Sequence, residues 1–125
     1  MSSNLVPIIL FTYRRTPKET IESLLKNDLA KESELFIYSD GCKSEVDKND
    51  VLGVRAYLKT IEGFKSIEIL EAPENKGLAS SIIGGVAEII SKHEKVIVLE
   101  DDLIVSSDFL KYMNHALEIY NNDEK

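Results

Sequence analysis

Tryptophan is absent from this 125-residue chain, cysteine occurs once and histidine twice. The lone Cys42 excludes any internal disulfide and fits a reducing compartment. It lies just past a turn with no base near it in sequence, so nucleophilic catalysis by its thiol is not expected. His93 and His115 have no companions at metal-ligand spacing and read as surface residues. Positive charge is the minority sign, with 15 Lys and Arg against 22 Asp and Glu and a net charge of −7. Nucleic acid is therefore not expected as a general partner, because binding its phosphates needs a basic surface. No apolar stretch approaches the roughly 20 residues of a membrane span. Met1–Asn4 offers no basic segment leading into an apolar region, so a secretory signal is not expected and the cytoplasm is the default location. Repeats, low-complexity tracts and linkers are missing too. What remains is ordinary for one globular domain: 43% apolar and 30% charged residues, enough to bury a core.

Four short apolar runs alternate with four helical patterns. The first run, Val6–Thr12 (VPIILFT), has Pro7 near its start, where a missing N–H is tolerated. Thr16-Pro17-Lys18-Glu19 reads as a helix start, with Thr16 as N-cap, Pro17 at the first helical position and Glu19 three residues after the cap. Ile21, Leu24, Leu25 and Leu29 recur at helical spacing behind it. Leu35–Ser39 predicts a second strand, ended by the Asp40-Gly41 turn. A second helix over Val46–Ile61 places Val51, Val54, Leu58 and Ile61 on one face, with Gly53 weakening it. Ser66–Leu70 alternates as a third strand. Asn75-Lys76-Gly77 is a turn before a third helix over Leu78–Ser91. Lys95–Leu99 is the fourth strand, and Ser107 or Asp108 caps a last helix that runs to about Tyr120. The expected fold is α/β: three layers of alternating strands and helices around a mostly parallel sheet.

The most informative stretch is Val96–Phe109, VIVLEDDLIVSSDF. Val96–Leu99 is apolar and rich in β-branching, as in a strand buried on both faces. Glu100, Asp101 and Asp102 follow where that strand would emerge. Like charges so close disturb one another's proton affinity unless a cation sits among them, and a hard divalent ion with oxygen ligands suits such a set. Open parallel sheets bind ligands beyond the carboxyl ends of their strands, where strand order reverses. Polar residues gather at those ends here: Thr12-Tyr13-Arg14-Arg15, Asp40-Gly41, Asn75-Lys76-Gly77 and the acidic triplet. An aromatic ring, guanidinium groups and carboxylates suit a base, a diphosphate and a metal. The first and fourth strands are accordingly expected to be neighbours, with Thr12–Arg14 and Glu100–Asp102 at one rim. Arg15 reads as a solvated charge.

Four pieces, PIILFTYRR, FIYSDG, ENKGLASSIIGG and VIVLEDDLIVSSDFLKYM, together resemble the glycosyltransferases of the GT-A fold, the nucleotide-diphospho-sugar transferases. The last piece is the most specific, being similar to the acidic metal motif of the N-acetylglucosaminyltransferase I-like branch. The resemblance covers Val6 to about Tyr112. It implies that Asp102 ligates Mn²⁺ or Mg²⁺ bridging the diphosphate of a nucleotide sugar, a UDP-sugar being the expected donor. Glu100 and Asp101 would face the ribose and donor sugar, or reach metal-bound water. Asp40 would accept from the N–H of the base, while Thr12, Tyr13 and Arg14 line the nucleotide pocket and Lys76-Gly77 closes over it. Many inverting members carry Ala-Arg-Asn in the third helix; Ser81-Ile82-Ile83 stands there instead, so no arginine from that helix reaches the phosphates. The resemblance also puts the saccharide acceptor's binding half and the catalytic base beyond Lys125. The expectation is the donor-binding half of a longer enzyme, inactive alone. The polar tail Asn121–Lys125 would fray, and the apolar face of the last helix (Phe109, Leu110, Met113, Leu117, Tyr120) would be partly open and promote self-association.

Two other classes stand beside this one. A non-catalytic nucleotide-binding or interaction module would share the fold and lack transfer activity. A receiver-type signalling domain would share length and alternation, but it needs acidic residues after the first strand and a phosphate-accepting Asp after the third. Thr12-Tyr13-Arg14-Arg15 and Glu71-Ala72-Pro73 occupy those places.

Overall fold

Ile8–Thr12 (β1) is five consecutive buried residues, mostly β-branched or aromatic, and it lies inside the sheet rather than at its edge. The computed structural model describes residues 5–123. Glu34–Ser39 (β2), Ser66–Glu71 (β3) and Ile97–Glu100 (β4) complete a four-stranded sheet of order β3-β2-β1-β4. Every pairing is parallel, with Thr12 opposite Ser39 and Phe11 opposite Glu100. The first and fourth strands are adjacent, as the clustering of polar strand ends anticipates. Helices α1 (Lys18–Leu25), α2 (Lys48–Leu58) and α3 (Leu78–Ile90) are the crossovers, and α4 (Phe109–Asp123) follows β4.

The period-2 alternation of each strand divides the core in two. Ile8, Leu10, Leu35, Ile37, Ile97 and Leu99 pack against Ile21 and Leu24 of α1, Val54 and Leu58 of α2 and Leu110 of α4. On the other face Ile9 and Phe11, with Phe36 and Tyr38 beside them, meet Ile82, Val86 and Ile89 of α3. Gly85 is what lets α3 sit so low. A Cβ there would stand 2.9 Å from the Phe11 ring and 3.2 Å from that of Tyr38.

Several local expectations yield to tertiary packing. β4 is buried on one face only: Ile97 and Leu99 are covered, whereas Val98 is 40% exposed. Three helices share the first face, but α3 alone covers the second and lies over β1, leaving the edge strand bare. Thr16 does not cap α1; Pro17 occupies the N-cap position and no side chain caps the helix. α1 also stops at Leu25, so Leu29 falls in a separate 3₁₀ turn, Asp28–Glu32, from which it still packs on the core. Asn27 explains the break, because its side-chain amide bonds the Ser23 carbonyl at 3.1 Å in competition with helical continuation.

At the start of α4 the Leu110 N–H donates to Asn27 Oδ1 at 2.8 Å, and the Asp108 carboxylate accepts from Ser106 Oγ. The cap expected from Ser107 or Asp108 is thus supplied from 83 residues away. Leu110 is fully buried, and Phe109, Met113 and Leu117 pack on the same cluster. That face is packed on the core yet only partly covered, since Phe109, Met113 and Leu117 keep intermediate exposure, and Tyr112 and Ile119 are the helix's exposed large apolar residues among those described. α4 continues through Asn121–Asp123 where fraying was expected. The side chains of residues 120–123, residues Glu124 and Lys125, and Met1–Asn4 lie outside the description. His93 is half-buried rather than superficial, 3.9 Å from Glu34 and tilted against Phe36. Among the described residues no helix is long and apolar enough to cross a membrane.

Candidate functional site

β1, β2 and β3 run in one direction across the sheet, and the chain then returns past β1 to lay β4 on its other side. That reversal separates the loops leaving β1 and β4 and opens a crevice at their carboxyl ends. A cavity of about 280 Å³ occupies it. Phe11, Thr12 and Tyr13 come from the end of β1, Asp40 and Lys43 from the loop after β2, and Glu100 and Asp101 from the end of β4. Asn75, Gly77, Leu78 and Ser81 close it from the start of α3. Thr12 is buried and donates its hydroxyl to the Tyr38 carbonyl at 3.2 Å.

Asp40 is the centre of the loop architecture. Its Oδ1 accepts from the N–H groups of Gly41 and Lys76, both at 2.8 Å. Its Oδ2 accepts from the Gly77 N–H at 3.0 Å and Asn75 Nδ2 at 3.2 Å. A carboxylate offers about four lone-pair sites, and four donors fill them. Where an acceptor for a ligand's base was expected, the Asp40 side chain in this geometry fastens the Asn75–Gly77 turn to the end of β2 while still lining the cavity. Gly41 must be glycine for the same reason, since a Cβ would come within 2.6 Å of the Glu74 backbone. Gly77 has φ of +85°, a left-handed conformation glycine adopts at little cost. Lys76 contributes its N–H to the lock, while the residue lines a neighbouring 270 Å³ cavity beside Glu88.

Arg55 of α2 holds the same corner from beneath. Its guanidinium donates to Ser39 Oγ and to the carbonyls of Ser39, Asp40 and Ala72, and it lies 3.8 Å from Glu71. One planar fork thus ties the ends of β2 and β3 together. Asp47 does the comparable task on the next loop. It accepts from the N–H groups of Lys43 and Ser44 and from the Tyr13 hydroxyl. The Tyr13 hydroxyl and those N–H groups hold the Asp47 carboxyl down at about 2, and the same hydrogen bond raises the Tyr13 phenol. The Tyr13 ring is thereby fixed at the mouth of the cleft.

The acidic triplet splits in its surroundings. Glu100 is exposed at the end of β4, and Asp101 is half-buried. Burial raises the Asp101 carboxyl, Arg15 counteracts this, and Asp102 and Glu100 push it up further. Asp102 does not line the cleft; its carboxylate is 56% exposed and 3.8 Å from Arg15 Nη1. Arg15, expected to be a free charge, is thus its partner across the rim. Arg14 is exposed and lies with Asp50 and the triplet on an open surface outside the cleft. Among the described residues no three His, Cys, Asp or Glu side chains form a ready metal cage.

Thr12, Tyr13, Asp40, Gly77, Glu100 and Asp101 therefore converge on one cavity, whereas Arg14, Lys76 and Asp102 stand around it. Sequence reasoning missed Asp47 and Arg55, both on or beside a helix whose polar residues carry no local motif. The only sequence signal was a carboxylate and an arginine near an otherwise apolar helical face. Comparison with protein-family models, curated proteins and solved structures returns no match. Fold and site define an α/β domain with an all-parallel sheet and a polar, acidic cleft at its topological switch point.

Proposed function

We propose that this chain is the donor-binding domain of a GT-A-type glycosyltransferase, taking a nucleotide-diphospho-sugar with Mn²⁺ or Mg²⁺. One observation carries the reading: the ends of all four resembling segments meet around a single crevice at the switch point of the sheet. Strand order supports it against the receiver alternative. The order here has β1 between β2 and β4, whereas receiver-type sheets place β3 beside β1.

The carboxylates at the rim suit a divalent ion. Asp101 and Asp102 offer hard oxygen ligands at the rim, Asp101 half-buried and Asp102 exposed. Small hard ions are commonly held by one or two carboxylates plus substrate phosphates, so the lack of a three-carboxylate cage fits co-binding with a diphosphate. When bound, such an ion would supply stabilisation of negative charge on a leaving diphosphate. The remaining work belongs to the chain. The Tyr13 ring, held by Asp47, stacks on base or ribose, and the Asp40-locked turn shapes the opposite wall. Arg14, Arg15 and Lys43 are cations at or beside the rim, and Arg15 would exchange its contact with Asp102 when the ion enters. UDP is the expected nucleotide, and the sugar's acceptor is a saccharide.

Calorimetry with UDP tests this. Affinity is expected to rise by about tenfold or more when Mn²⁺ replaces EDTA, and Asp102→Asn is expected to erase the difference by removing the anchoring charge. Equal affinity with and without the metal would overturn the reading.

A further inference from the structure

The two edges of the sheet differ in how they are guarded. β3, at one edge, carries Glu68 and Glu71 at exposed positions, and Glu71 is further engaged by Arg55 and Lys59. Charge along an edge strand is a common guard against pairing with another chain. β4, at the other edge, reads Ile-Val-Leu-Glu, with no proline and no charge before its last residue.

The open side of β4 has hydrogen bonds to give. The Ile97 N–H donates to the Pro7 carbonyl at 2.9 Å, so Ile97 and Leu99 turn their backbone groups toward β1. Alternate residues of a parallel pair turn theirs the other way, which sends the N–H and C=O of Val98 to the free edge. Apolar surface flanks it. Ile82, Val86 and Ile89 point α3 at the sheet, and Ser81, Gly84 and Glu88 line the cavity on its β2–β3 side. At about 100° per residue Ile83 and Ile90 fall on the opposite flank, toward β4. There they are 72% and 42% exposed, with Val98 bare on the same face of the sheet.

Charge names the occupant. Lys92 and Lys95, against Glu94 alone, precede β4, and Glu100, Asp101 and Asp102 end it. A second copy laid parallel along this edge would set like charges together, whereas an antiparallel copy sets basic end against acidic end. Directly opposite residues must also share a face of the sheet, which limits the registers. With Val98 opposite Val98 of the second copy, Ile97 stands opposite Leu99 and Lys95 opposite Asp101. The next registers set Glu94 opposite Glu100, or Ile97 opposite Asp101.

We propose that the free edge of β4 is an interface between two copies of this chain, paired antiparallel about a two-fold axis at Val98 so that their sheets become one. The axis stands perpendicular to the sheet, so both α3 helices lie on one side with their Ile83 and Ile90 flanks turned toward each other. Self-association is thereby placed at the sheet edge rather than at the last helix. A strand of four residues makes a short contact, so the dimer is weak and exchanging. The inference stands without the transferase reading, which the nucleotide titration tests separately.

Sedimentation velocity of the full chain from about 10 µM to about 1 mM tests it. The weight-average mass is expected to climb from 14.1 kDa toward twice that value. Over the same range, amide exchange should slow about fivefold or more at Val98 and stay unchanged at Ile97, whose N–H is already bonded within the sheet. Val98→Lys sets two ammonium groups face to face across the axis and should keep the chain monomeric, with its thermal midpoint held because the position is exposed. Lys95→Glu and Asp101→Lys should each be monomeric alone and associate when mixed, because every opposed pair is then of unlike charge. A constant mass of 14.1 kDa overturns the proposal and leaves the edge to a different chain. Association that survives Val98→Lys also overturns it, pointing to Tyr112 and Ile119 of α4. So does identical behaviour of the two charge variants alone and mixed.

Discussion

Two aspartates of the loop after β2 act by organising backbone rather than by presenting free oxygens. Asp40 has its acceptor capacity filled by Gly41, Asn75, Lys76 and Gly77. Asp40→Ala is therefore expected to weaken UDP and CDP alike and to lower stability by about 2–4 kcal/mol, since several buried N–H groups lose their partner. Calorimetry with both nucleotides decides between this and a base-reading role, for which only the preference between them would change. Asp47 makes the pH argument. Its carboxyl is lowered from 3.8 to about 2, chiefly by the Tyr13 hydroxyl. A depressed acid contributes stability above its unfolded value and loses it as pH falls through the folded one. The contribution is thus full above about pH 4 and fades toward pH 2. Tyr13→Phe should move the Asp47 titration, followed by carboxyl carbon shifts, back up toward 3.8.

At the scale of elements, single polar side chains do what turns and caps usually do. Arg55 clamps the ends of β2 and β3 through four acceptors while only 17% of its side chain is exposed. Arg55→Met keeps the aliphatic stem and strands those acceptors, and a loss of about 2–4 kcal/mol in chemical denaturation is expected. Lysine should rescue only part of it, because one ammonium cannot reproduce the fork. Asn27 joins three elements: it donates to the carbonyls of Ser23 and Ser106 and accepts from the Leu110 N–H. Asn27→Ala should cost about 1–3 kcal/mol and raise amide exchange first at the start of α4. Fraying confined to Asn121–Asp123, with Leu110 unchanged, would refute that assignment.

For the whole molecule, ligand binding and stability are linked through one rim. Ligand at one hundred times its dissociation constant adds about 2.7 kcal/mol, which for a domain of this size is roughly 10 °C in thermal midpoint. UDP with Mn²⁺ is expected to produce that shift, and scanning calorimetry checks it. Much of this architecture was legible in the chain. Alternating apolar strands and amphipathic helices determined an α/β domain with a parallel sheet, and the polar strand ends identified which rim would carry a cavity. Periodicity reads which side of an element is apolar, so it found Ile21, Leu24, Val54 and Leu58 without help. It does not read what arrives from elsewhere. Only the tertiary structure decided that Asn27 caps a helix 83 residues on, that Val98 lies bare at the sheet edge and that the Asp40 carboxylate is already occupied. The physical reason is the same in each case. Hydrogen-bond satisfaction and edge exposure are settled by neighbours in space, and a sequence lists neighbours along the chain.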